Sequence, residues 1–190
     1  MLDRETRDRI MLILRELPGR YGITVVHVTH DWDEAYSLAD RVYVMSVGKI
    51  IEEGEPEQVF NRPRSVFTAR FLGFQNIIRG IARGDLVIIN NEVELSINGN
   101  ADGEVYVCIR PEWIRVMPYG GIDVKNQNVL MGVVNEVIRS RIGYQLSVSV
   151  SKDLVLTALS ATAFKPGDKV LLVIPRESIH VIGVNNAVKM

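Results

Sequence analysis

Cysteine is almost missing from these 190 residues: Cys108 is the only one, and a lone thiol rules out a disulfide framework. It stands in the apolar run Val105 to Ile109, so the expected role is a buried, inert side chain in a reducing compartment rather than a nucleophile or metal ligand. Charge of either sign is not in excess. Twenty-two basic residues against 23 acidic ones leave a net of −1, which excludes a strongly electrostatic partner such as nucleic acid. No apolar run approaches the ~20 residues needed to cross a bilayer, and the start MLDRETRDRI lacks the apolar core of a secretory signal. The chain therefore reads as soluble and intracellular, with any membrane link made through a protein partner. Histidines number three. His27 and His30 lie on an expected strand, facing opposite sides, and His180 is distant, so no metal site is expected. There is no Lys-Ser or Lys-Thr pair, hence no GxxxxGK[ST] loop to wrap a triphosphate. No apolar strand ends in Asp-Glu to hold magnesium, and no nucleophile elbow is present.

What is present divides into two textures. Ile10, Ile13, Leu14 and Leu17 recur at helical spacing, predicting an amphipathic helix from Asp3 to about Leu17 with one buried face, ended by Pro18-Gly19. Ile23, Val25, Val26 and Val28 form a short β-branched run of the kind buried in a parallel sheet. Asp31 with Glu34 three residues on predicts a capping box opening the next helix. A second apolar run, Arg41 to Met45, completes a strand–helix–strand unit. That placement puts His30 at the carboxyl end of a strand, where ligands bind in such sheets, although a plain corner formed by Thr29, His30 and Asp31 is the alternative. A turn at Gly48-Lys49 and a strand Ile50 to Glu52 follow, then a helix from Pro56 through Phe60. The last helix is expected over Ser65 to Leu72, with Phe67, Phe71 and Leu72 as its apolar side.

From about Gln75 onward the period drops to two, with Gly, Asn and Pro-Gly separating the runs. Asn98-Gly99 reads as a hairpin turn. Eight or so short strands in ~110 residues predict a compact β-barrel or sandwich. Arg110-Pro111-Glu112-Trp113-Ile114-Arg115-Val116 is echoed by Pro175-Arg176-Glu177-Ser178-Ile179-His180-Val181, which reads either as two copies of one small β unit or as coincidence in a strand-rich sequence.

Val28-Thr29-His30-Asp31, Glu34-Ala35, Ala39-Asp40-Arg41-Val42, Met45, Gly48-Lys49-Ile50 and Gly54 together resemble the stretch after the catalytic carboxylate in ATPase subunits of ABC transporters. Phe71-Leu72-Gly73, Asn76, Ile109-Arg110-Pro111-Glu112 and Gly167-Asp168-Lys169-Val170 resemble the regulatory TOBE domain of importer ATPases. The resemblance implies a fold in two parts: residues 1–75 as the tail of an α/β nucleotide-binding domain, and residues 76–190 as an all-β, OB-like TOBE barrel. It implies that His30 is the switch histidine contacting the γ-phosphate and attacking water, and that Asp3 lies in the D-loop, reaching the phosphate loop of a second subunit. Imidazole suits such a role, since one nitrogen can donate to a phosphate oxygen while the other is held.

By the same resemblance the cofactors are ATP and magnesium in a full-length subunit, with none bound to these residues alone. The implied partners are a second copy and transmembrane permease subunits, on the cytoplasmic face of a membrane. The Phe-Leu-Gly-aromatic-x-Asn junction most resembles subunits serving molybdate, tungstate or a related oxyanion, with sugar, polyamine, iron and sulfate importers as alternatives. An oxyanion at the β domain could draw on Ser140, Arg141, Ser160 and Thr162, whose default role is a solvated turn. Lacking the phosphate loop and magnesium carboxylates, the chain is expected to hydrolyse no ATP by itself. A nucleotide-domain tail without its central strands is also expected to leave apolar surface exposed. A non-catalytic oxyanion-binding module is the other functional class.

Overall fold

The computed structural model describes residues 4–120, 127–140 and 143–184. Two compact units divide between Pro63 and Arg64.

The first unit holds α1 (Arg4–Tyr21), α2 (Trp32–Leu38), β1 (Val42–Ser46), β2 (Lys49–Gly54) and α3 (Pro56–Asn61). Helix α1 runs through Pro18, past the expected stop. A proline near the C-terminal end removes one hydrogen bond without stopping the turn after it. Gly22, at φ 61°, ends the helix, its N–H bonded to the Pro18 carbonyl at 2.9 Å. The expected buried face is not covered, since Ile10 is 39% and Ile13 58% exposed.

The expected parallel strand–helix–strand unit does not form. Residues 23–29 take up no strand structure, and Val26 and Val28 are 87% and 90% exposed. A strand exists only where its N–H and C=O groups meet a neighbour's, and here the apolar run from Val42 pairs elsewhere, antiparallel with β2 in a hairpin from Val42↔Gly54 to Ser46↔Lys49. Val47 and Gly48 turn this hairpin with φ of 48° and 73°. Pro56 opens α3, which buries Val59 and Phe60, and Tyr36 of α2 sets its ring edge-on to Phe60 at 5.4 Å.

The second unit begins with α4 (Val66–Phe71), capped by the Ser65 hydroxyl, which accepts the Thr68 N–H at 3.1 Å. Its buried side is Thr68 and Ala69, with Leu72 following. Phe67 and Phe71 instead stack on each other at 6.3 Å, with Phe71 exposed. Ala69 and Phe74 pack with Cys108 and Ile182, which places α4 with the β strands and sets the division ahead of the residue 75 boundary expected from sequence.

Eight strands follow among the described residues: β3 (Asn76–Ile89), β4 (Val93–Ile109), β5 (Arg115–Pro118), β6 (Gln127–Ser140), β7 (Gly143–Ser151), β8 (Leu154–Ser160), β9 (Lys169–Pro175) and β10 (His180–Gly183). They form a sheet ordered β10-β4-β3 and another ordered β5-β9-β6-β7-β8. Alternate residues of both, among them Val87, Val107, Ile109, Leu146, Val148, Leu172 and Ile174, fill one core. Asn98-Gly99 makes no hairpin. The β3–β4 register jumps from Gly84↔Ala101 to Leu86↔Ser96, so the pair lies in a bulge within β4. The hairpin turn is Asn90-Asn91, both in the left-handed region.

The sequence echo is a structural repeat. Asn76↔Ile109, Ile77↔Cys108 and Gly80↔Val105 in the first sheet match Asn128↔Ile174, Val129↔Val173 and Gly132↔Val170 in the second. Each half continues into a 3-10 turn, Pro111–Trp113 or Arg176–Ser178, and then a short strand that pairs with the other half: β5 with β9, and β10 with β4. Asn76 donates to Ile109 O and Thr157 O and accepts from Thr157 N at 2.7 Å. Asn128 donates to Ile174 O and Ser96 O and accepts from Ser96 N at 2.6 Å. Both are buried, and each clips its own sheet to the other. A Cβ on Gly80 would meet Val87 Cγ1 at 2.7 Å, and one on Gly132 would meet Val148 Cγ1 at 2.5 Å. Only hydrogen fits at either position.

Candidate functional site

The segment His27 to Glu34 is held by a charged clasp. Asp31 caps α2, its Oδ1 accepting the Asp33 and Glu34 N–H groups at 2.9 and 3.1 Å. The return half of the capping box is absent. The Asp31 N–H instead donates to Thr29 Oγ1 at 2.9 Å, and the Thr29 hydroxyl donates to Glu34 Oε2 at 2.7 Å. Glu34 also meets His27 Nε2 at 3.2 Å and Arg7 Nη2 at 3.0 Å. Arg7, from α1, pairs with Asp31 as well. The carboxyls respond accordingly. The Arg7 guanidinium and then the Glu34 N–H hold Asp31 below the usual aspartate range, and hydrogen bonds from Thr29 and then His27 do the same for Glu34.

His30 stands exposed beside this clasp, between half-buried Thr29 and Asp31. Asp3 lies outside the described residues. Sequence reading named Glu34 as a capping partner but missed Arg7, and these two side chains organise the segment. The helical register between Asp3 and Arg7 was the available signal.

The Arg110-Pro111-Glu112 motif has a packing role. The Arg110 guanidinium lies 4.4 Å over Phe74 and 5.5 Å from Trp113, and the two rings meet edge-on at 5.7 Å. Its side chain is 11% exposed, and burial lowers its pKa. Ser140 Oγ donates to Gly143 O at 3.1 Å, and Ser160 Oγ to Thr162 O at 2.9 Å while accepting the Thr162 N–H. Both serines thus close local turns; Arg141 lies outside the described residues.

Comparison with known proteins places this architecture. Residues 107–182 match the TOBE domain. The chain is 31% identical over 184 residues, 95% of its length, to the spermidine/putrescine import ATP-binding protein of Borreliella afzelii, covering 51% of that relative. It is 35% identical over 136 residues to the molybdate/tungstate import ATP-binding protein of Pyrococcus horikoshii, 72% of the chain and 39% of the relative. With the Fe(3+) ions import ATP-binding protein of Streptomyces coelicolor the identity is 43% over 117 residues, 62% of the chain and 34% of the relative. The chain thus spans about half or less of these relatives. Among solved structures, the cytoplasmic molybdate-binding protein ModG with molybdate bound shares the β fold, with a TM-score of 0.52 at 16% identity over 57% of this chain and 96% of that one. The chain is a TOBE-domain relative of the ATP-binding subunits of ABC importers, parallel to their C-terminal part.

Proposed function

We propose that these residues act as the C-terminal part of an importer ATP-binding subunit, with His30 sensing the terminal phosphate and the TOBE unit regulating the cycle. The observation that carries this is the exposed imidazole on a braced segment: the Arg7–Asp31–Glu34–Thr29 clasp fixes the backbone on either side of His30 while leaving the ring free. A side chain on a rigid support and open to solvent can donate to an external phosphate oxygen without reorganisation. ATP and magnesium fit this chain only in part. His30 could hold one oxygen, with Asp3 reaching a second subunit's phosphate loop, but no sequence here supplies a triphosphate cradle. When bound, the nucleotide would supply the phosphoryl group and magnesium the charge neutralisation; these residues would orient a proton donor.

The exposed run Ile23 to Val28 supports completion by a further polypeptide segment, since isolated apolar backbone of this kind gains most from strand pairing. The implied partners are a second copy and permease subunits at the cytoplasmic face of a membrane. No helix among the described residues is long and apolar enough to span one; the permease subunits are the proposed attachment. For the solute we propose a molybdate- or tungstate-type oxyanion, supported by the archaeal relative and the ModG likeness in fold.

The test is a chimaera in which these 190 residues replace the matching C-terminal part of the B. afzelii relative. ATP hydrolysis that His30→Ala lowers at least a hundredfold, with nucleotide binding retained, is the expected result; a chimaera whose turnover is indifferent to His30 rejects the assignment. Calorimetry with molybdate, tungstate and sulfate tests the solute, and absence of heat with all three returns the choice to sugar, polyamine or iron.

A further inference from the structure

Among the asparagines of the sequence, Asn98 alone is followed by glycine. Several others in the second unit are tied down. Asn76 and Asn128 are bonded at both ends of their amides across the sandwich, while Asn90 Nδ2 donates to Asp153 O at 3.3 Å and Asn135 Nδ2 to Ser149 Oγ at 2.7 Å. Asn98 is exposed, and its amide has no hydrogen-bond partner among the described residues. The backbone around it is released as well. Pairing of β3 with β4 runs from Ile89 to Leu86↔Ser96 and resumes at Gly84↔Ala101, so residues 97–100 face no partner on β3. Gly99 has φ 112°, and a Cβ placed on it would meet nothing within 4 Å, so the space beside its amide nitrogen is open. Both flanks are fixed nonetheless. Asn128 clips the Ser96 N–H and carbonyl, Ile97 is buried, and Asp102 Oδ1 accepts the Gly84 N–H at 3.2 Å.

We propose that Asn98 is a modification site that deamidates spontaneously in the folded chain. The Gly99 amide nitrogen, giving its proton to water or hydroxide, attacks Asn98 Cγ; the new N–Cγ bond closes a five-membered succinimide as Nδ2 leaves as ammonia. Water then opens the ring. Cleavage of the N–Cγ bond yields aspartate, and cleavage of the bond from the same nitrogen to the Asn98 carbonyl carbon yields isoaspartate, whose main chain runs through Cγ. Water is consumed and ammonia released, and a neutral amide becomes a carboxylate. Glycine matters because a Cβ on the attacking residue would crowd the ring. The bulge matters because the isoaspartyl form lengthens the main chain by a carbon, which a stretch with no pairing to keep can absorb. Asp102-Gly103 has the same spacing, but a carboxylate is a poorer target for the nitrogen and Asp102 is engaged by Gly84.

The intact chain, held in warm and mildly alkaline buffer, is followed by mass and peptide mapping, with enzymatic methylation of isoaspartyl carboxylates as a second readout. The expected result is a gain of about 1 Da on the peptide holding Asn98, with methyl acceptance on that same peptide. Gly99→Ala should slow the gain by about tenfold or more. Alanine is strained at φ 112°, so Asn98→Gln, which keeps Gly99 and should abolish both signals, is the decisive variant. Three results would overturn the proposal: no gain at Asn98 in the folded chain, whether or not the urea-unfolded chain acquires one; a gain that comes first at another asparagine; or a gain on this peptide that survives Asn98→Gln.

Discussion

At the scale of single residues, burial decides reactivity. Cys108 is fully buried between β3 and β10, and desolvation pushes its thiol up to about 12, so at neutral pH almost no thiolate exists to react. Dithionitrobenzoate should leave the native chain unlabelled and titrate one thiol in guanidinium; prompt native labelling would contradict this placement. The two buried asparagines invite a paired experiment. Asn76→Ala strands the Thr157 N–H and Asn128→Ala strands the Ser96 N–H. Each loss should cost ~1–3 kcal/mol for an unmade buried hydrogen bond, and urea melts of the two variants should agree closely if the repeat is energetic as well as geometric.

Elements show how local rules are bent. The β1–β2 hairpin places a β-branched residue, Val47, in the left-handed region at φ 48° and 97% exposed, where asparagine or glycine is favoured. Val47→Asn should therefore stabilise by about 1 kcal/mol, read as a higher urea midpoint. The α1–α2 clasp predicts a pH response. Asp31 and Glu34 both titrate below their ordinary values in the folded chain, so their contribution is complete above the unfolded carboxylate range and lost as pH falls through the lowered values. Asp33 and Glu34 amide shifts followed against pH should reveal these low midpoints. Arg7→Gln should raise the Asp31 midpoint toward the ordinary aspartate range, and an unmoved midpoint would remove Arg7 from the clasp.

For the molecule as a whole, the main core cluster lies in the second unit, while the first buries Val44, Val59 and Phe60. All the residues of the main cluster, from Ala82 to Ile179, lie beyond Arg64, while α1 and the Ile23–Val28 run contribute no buried residue among those described. Residues 64–190 should consequently fold alone, with a urea midpoint within experimental error of the parent's β signal. Loss of cooperative unfolding on removing residues 1–63 would show that the first unit supports the core.

Much of the second unit could be read directly from residue order. Period-two runs located its strands, and the Arg-Pro-Glu echo pointed to duplication, because side-chain alternation and turn chemistry are local properties. Asn-x-x-x-Gly at 76–80 and again at 128–132 carried the same message. Other features could not be read this way. Asn98-Gly99 has hairpin chemistry but became a bulge because the paired registers of β3 and β4 outweigh a dipeptide's preference. Ile23 to Val28 has strand chemistry but found no neighbour, and pairing is not a property of one segment. Arg7 acquired its role only when α1 came to lie against α2. The sequence by itself determined which segments prefer strand or helix and which thiol is hidden, since those follow from side chains and their nearest neighbours. Tertiary structure alone decided which strands pair and which apolar face α4 covers, since those depend on groups far apart in the chain meeting in space.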